Sequence, residues 1–165
     1  MAREAAVTEV VVTNSPTEVL LYGKVVHGFT PEMEAALQNG IPVTFTFFVE
    51  LHKIRSSWLD RQIASLSFDH AVSYDNLKEE YRVELQEKGE KTVATHSLQE
   101  AKTLMTDING LRIASLHDLK PGGEYLLKVK AKLARKTLPL NVHDLIPFWG
   151  LWDFETEWHT TEFSY

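Results

Sequence analysis

Hydrophobic residues recur at every second position through most of this chain, and that spacing constrains its fold more than any other feature. A period of two sends alternate side chains to opposite faces of a strand. Over residues 41–51, Ile41, Val43, Phe45, Phe47, Val49 and Leu51 share one face, while Thr44, Thr46, Phe48 and Glu50 share the other. Residues 124–133 alternate as strictly: Tyr125, Leu127, Val129, Ala131 and Leu133 point inward, and Glu124, Lys128, Lys130 and Lys132 face water. The same pattern predicts strands over 7–13, 18–27, 61–74, 81–85, 91–95, 111–116 and 152–162. Asn14-Ser15-Pro16-Thr17 reads as the turn of an N-terminal hairpin, and Glu87-Lys88-Gly89-Glu90 as a second polar turn.

The period changes to helical spacing in two places. Thr30 can cap a helix that starts at Pro31, carries Glu32 and Glu34 in its first turn and Met33, Ala36 and Leu37 on its apolar side, and stops at Gly40. Ser97 and Glu100 form a capping-box pattern ahead of Leu98, Ala101, Leu104, Met105 and Ile108, with Gly110 as the stop. Eight or nine strands, two short helices and no alternating strand–helix repeat predict a mainly β fold. The expected form is one domain, 1–165, built as an immunoglobulin-like antiparallel β-sandwich.

Composition narrows the function classes. There is no cysteine, which excludes disulfide scaffolds, thiolate metal sites and thiol nucleophiles. The net charge of −6 disfavours nucleic acid as a partner. No apolar run reaches the length of a membrane-spanning helix, and Met1-Ala2-Arg3-Glu4 lacks an apolar signal core.

Leu119-Lys120-Pro121-Gly122-Gly123-Glu124-Tyr125, followed by the alternating LLKVKAKL, resembles the tyrosine corner of fibronectin type III and related immunoglobulin-like domains. The resemblance implies that Pro121 and the glycines bend the chain between sheets. It also implies that Leu119 plugs the core and that the Tyr125 hydroxyl bonds back to upstream backbone. The helix at 97–108 and the long 41–95 stretch exceed such a module, so the expectation is an elaborated sandwich.

Aromatic residues crowd the end of the chain: Phe148, Trp149, Trp152, Phe154, Trp158, Phe163 and Tyr165 all fall in the last 18 residues. Strand alternation puts Trp152, Phe154, Thr156 and Trp158 on one inward face. It puts Leu151, Asp153, Glu155, Glu157 and His159 on an outer, mostly acidic one. Phe148, Trp149 and Trp152, just after Pro147, are the candidates for an exposed apolar lip that binds a partner. The N-terminal strand pair, the segment FTPEMEAALQNGIPVTFTFFVEL and the closing LIPFWGLWDFETEW together resemble a bacterial family of unknown function whose members are exported or membrane-anchored. That resemblance implies a setting outside the cytoplasm, in the periplasm or tethered to a membrane, with a signal segment removed or missing, and carries over no catalytic residue.

Three His–Asp neighbours, Asp69-His70, His117-Asp118 and His143-Asp144, point to opposite faces where they lie on strands, and so make poor chelating pairs. His70 reads as a satisfied core or edge histidine, and no nucleophile-elbow, zinc-peptidase or phosphate-loop motif is present. The one concentration of positive charge is Lys120, Lys128, Lys130, Lys132, Arg135 and Lys136. Lys128, Lys130 and Lys132 share a strand face, either as a solvated face that resists aggregation or as a contact for an acidic partner or anionic lipid. The expectation is a non-enzymatic binding or scaffold domain that recognises a protein or envelope partner, with no metal or cofactor. Alternatives are a metal-dependent hydrolase built from His143, Asp144 and the 153–159 carboxylates, or a purely structural envelope protein.

Overall fold

The computed structural model describes residues 4–55, 61–134 and 154–165. Two antiparallel sheets form within them. β1 (Ala6–Asn14), β2 (Glu18–Val26) and β7 (Asp107–Ser115) make a three-stranded sheet in the order β1-β2-β7. β3 (Val43–Lys53), β4 (Arg61–Asp75), β5 (Glu80–Leu85), β6 (Lys91–Thr95), β8 (Glu124–Leu133) and β9 (His159–Ser164) make a six-stranded sheet in the order β6-β5-β4-β3-β8-β9. Two helices, α1 (Pro31–Gln38) and α2 (Leu98–Thr106), add buried residues to the core. β1 lies against β8 and β9, while the helices cover the β3–β6 side. The expected β-sandwich is therefore the observed one, and its buried residues form one contiguous core.

The helix signals act as their chemistry requires. Thr30 Oγ1 accepts the Met33 N–H at 3.3 Å, and Met33, Ala36 and Leu37 are buried. Ser97 Oγ accepts the Glu100 N–H at 3.2 Å, but the reciprocal half of the capping box is not made. Thr95 intervenes instead: its hydroxyl donates to Glu100 Oε2 at 2.8 Å and accepts the Ser97 N–H at 3.1 Å. A Glu34–Lys102 ion pair ties α1 to α2.

α2 also ends earlier than its spacing suggests. It stops at Thr106, and β7 begins at once with Asp107, so Ile108 is a buried strand residue. Gly110 is not a helix stop. It has φ +68° and falls where the β2–β7 register slips, between Leu21 opposite Leu111 and Tyr22 opposite Asn109. A glycine at positive φ accommodates the extra residue of such a bulge without strain.

The chain crosses from the three-stranded to the six-stranded sheet between β7 and β8, at the Leu119–Tyr125 segment. Tyr125 is wholly buried, and its Oη accepts the Lys120 N–H at 2.6 Å. Leu119 is buried, while Pro121 is exposed on the bend. The space for the phenol is reserved by Gly123, where a Cβ would stand 2.9 Å from both Tyr125 Oη and the Lys120 carbonyl oxygen. Residue Tyr165 closes the same corner: the Gly122 N–H donates to its carbonyl at 2.7 Å, and its N–H donates to the Gly123 carbonyl at 3.1 Å.

Removing the hydroxyl in Tyr125→Phe leaves the Lys120 N–H without its acceptor, so unfolding in denaturant should show a loss of about 1–3 kcal/mol. Gly123→Ala should cost less in the Tyr125→Phe background than in the native one, because one of the two clashing oxygens is gone, and a double-mutant cycle measures that coupling.

Candidate functional site

β3 is the centre of the six-stranded sheet, flanked by β4 and β8, and its register aligns outward-facing residues in rows across three strands. Asp69, Thr46 and Lys132 form one row, Ser67, Phe48 and Lys130 the next, and Ser65, Glu50 and Lys128 the third. Cross-strand partners share a face, so the polar positions of the three strands converge on one surface. The Thr46 hydroxyl donates to Asp69 Oδ1 at 2.7 Å. Glu50 Oε2 lies 3.1 Å from His52 Nε2 and 3.7 Å from Lys128 Nζ.

Trp158 completes this surface, contrary to the alternation that places it inward with Phe154. Glu155 bridges Lys132 and His159 pairs with Val129. Four steps along the last segment thus match three along β8. The extra residue flips the parity of everything after it. Thr156 remains inside, its Oγ1 accepting the Ala131 N–H at 3.0 Å, and Phe154 meets Phe45 edge-on at 5.1 Å. Trp158 instead emerges on the outer face, with Lys128 Nζ 4.6 Å and Lys130 Nζ 4.8 Å from its ring centroid. His159 goes to the opposite face from its expected acidic neighbours, opposite the buried Val129. The continuous strand expected over 152–162 is, within the described residues, β9 alone.

The basic stripe is accordingly not a row of free charges. Lys130 Nζ donates to Glu155 Oε1 at 2.7 Å and also lies 5.4 Å from the Phe48 ring centroid. The Lys130 ammonium, by this hydrogen bond first and then by its charge, holds the Glu155 carboxyl below its ordinary range, and Lys132 adds to the effect. Beside these groups runs a groove of about 240 Å³ lined by Phe48, Glu50, Ser65, Ser67, Lys130 and Trp158. An aromatic floor framed by neutralised charges is a surface for packing and hydrogen bonding.

The remaining expected site residues separate. Phe148, Trp149, Trp152, His143, Asp144 and Asp153 lie outside the described residues. Of the proposed hydrolase carboxylates, Glu155 is spent on Lys130, and His159, expected on the same face as that acidic row, faces away from it. Among the described residues no three His, Asp or Glu side chains gather to hold a metal ion.

A pair that the sequence did not join lies in the core. His70 is fully buried, with Nδ1 3.1 Å from the Met105 carbonyl oxygen and Nε2 2.7 Å from Glu87 Oε1. A carbonyl only accepts, so Nδ1 carries a proton. A second proton must then lie between Nε2 and the Glu87 carboxyl, and the pair is neutral as a unit. The ring also packs against Phe47, with centroids 4.8 Å apart. His70 is thus the satisfied core histidine that its strand position suggests. Glu87 was legible only as a turn residue, because its partner is 17 positions away.

A family model described as a domain of unknown function, DUF4390, matches residues 2–162. The chain belongs to the DUF4390 family. No curated protein and no solved structure matches it. Among the described residues of this DUF4390 chain, no helix is long and apolar enough to cross a membrane.

Three outcomes test these energetics. His70→Ala should destabilise the fold by about 3–5 kcal/mol, since it strands a buried carboxyl. The double change His70→Phe with Glu87→Leu should recover most of that loss in thermal unfolding, because it removes both polar partners. Because the Glu155 carboxyl titrates low in the folded state, the stabilisation from its ion pair is present above the ordinary carboxylate range and disappears as pH falls through the lowered value. Carboxyl-carbon NMR should show the Glu155 titration moving up in Lys130→Met.

Proposed function

We propose that this chain is a non-enzymatic binding domain that works outside the cytoplasm and recognises a protein of the cell envelope. Its contact surface in this reading is the outer face of the six-stranded sheet, centred on Phe48, Lys130 and Trp158. The observation that carries it is the outward turn of Trp158. A one-residue irregularity takes a tryptophan that strand alternation would bury and sets it on a polar face over two lysines. Tryptophan buries much area on contact at small entropic loss, which makes it a frequent centre of binding energy. The lysines and Glu50 supply the polar rim that such contacts need. The extracytoplasmic setting is supported by the resemblance of the N-terminal and closing segments to exported bacterial proteins.

A photo-crosslinking residue at Lys132, in chain produced in its native cells, tests this reading. Discrete adducts are expected from Lys132 and not from Leu77, which is fully exposed in the β4–β5 turn far along the sheet. Trp158→Ala should abolish the Lys132 adducts while leaving the melting temperature within a few degrees. The same adducts from both positions, or adducts indifferent to Trp158, would refute it.

A further inference from the structure

β4 is fifteen residues long, yet β5 pairs with only its last part, His70–Asp75. β5 ends at Leu85, and the chain leaves the sheet through a short 3-10 turn, Gln86–Lys88, with Gly89 at φ +70°. The Gln86 side chain then stands in for the missing strand: its Oε1 accepts the Asp69 N–H at 2.8 Å. Backbone groups alternate in direction along an antiparallel strand. Since the Asp69 N–H points away from β3, those of Ser67 and Ser65 do too. The other side of β3 agrees: the Thr44 carbonyl accepts the Ala134 N–H on the β8 side, which leaves Thr46, Phe48 and Glu50 turned from β4 and their partners Asp69, Ser67 and Ser65 turned from β3. Among the described residues, nothing pairs with the Ser65 and Ser67 main chain.

That edge faces space of the right kind. A cleft of about 780 Å³, open on one side, separates Leu66–Phe68 of β4 from Gly110–Arg112 of β7, the edge of the other sheet. Such a volume is within the range of ligand-binding clefts. Lys88, Lys91 and Arg112 stand exposed along it, and Lys88 Nζ donates to the Asn109 carbonyl at 2.6 Å. Glu87 lines its floor, with its side chain nine-tenths buried, and its Oε2 has no hydrogen-bond partner. The cleft thus offers unpaired strand backbone, one unmet acceptor and three cations.

We infer that the free edge of β4 at Ser65 and Ser67 takes an extended, acidic segment of a partner protein as an added strand that continues the line of β5. Main-chain hydrogen bonds give such additions their affinity, and alternate side chains give specificity. Here one set of alternate side chains enters the cleft beside Lys88, Lys91 and Arg112, and the other set lies over Ser65 and Ser67 next to the outer-face groove. The inference stands on the edge and the cleft, and does not depend on Trp158.

The test is amide hydrogen exchange on the full chain with two short capped peptides, one alternating Val with Glu and one alternating Val with Lys. The Val/Glu peptide is expected to protect the Ser65 and Ser67 amides by about tenfold or more, and the Val/Lys peptide to protect neither. Ser67→Pro should remove the protection at Ser65, because it blocks the added strand while the lost N–H takes no part in the β3 ladder. Should that variant fold poorly, the double reversal Lys91→Glu with Arg112→Glu leaves the backbone intact and should weaken the peptide about tenfold. No protection at millimolar peptide, equal protection by both peptides, or full protection with no peptide present would each overturn the inference. The last outcome would mean that the edge is already covered by this chain or by a second copy.

Discussion

The inward row of β3 is the constraint on which the rest of this structure depends. Val43, Phe45, Phe47, Val49 and Leu51 are essentially without solvent contact, and β3 is hydrogen-bonded on both sides. A strand so placed cannot slip by one residue without sending five apolar groups into water and drawing Thr46, Phe48 and Glu50 into the core. The register of β4 and β8 against it is therefore fixed, and with it the rows that bring Ser65, Ser67, Phe48, Lys128 and Lys130 to one surface. The proposed contact face is in this sense the reverse side of the core.

Departures from regular alternation do the rest. The N-terminal strand slips between Thr8 and Val11, with Glu9 at φ +53°. β7 slips at Gly110, and the final segment slips before His159. Each slip changes which side chains reach the surface from that point on. The last one matters most, because it moves Trp158 from the core side to the outer face and His159 the other way.

What the sequence made legible follows from this physics. β8 could be read to the residue and β3 to within two residues at each end, because strict alternation has one solution. The start of each helix was visible in Thr30 and Ser97, whose side chains bond locally. The end of α2 was not, since Gly110 has the same composition signal whether it stops a helix or fills a bulge, and the pairing with Tyr22 decides. Trp158 misled for a related reason: periodicity within one segment carries no information about an extra residue relative to its neighbour. The His70–Glu87 pair and the unpaired edge of β4 are relations between distant segments. Nothing local in Ser65-Leu66-Ser67-Phe68 distinguishes an edge from a centre.

Trp158 lies outside, over Lys128 and Lys130, and its aromatic-to-aliphatic proton contacts by NMR measure that placement most directly. The side-chain methylenes of Lys128 and Lys130 are expected to show ring-current upfield shifts and close contacts to the Trp158 indole, both lost in Trp158→Ala. Indole contacts to Phe45 or Phe154 instead, with the lysine methylenes at ordinary shifts, would put Trp158 in the core and contradict it.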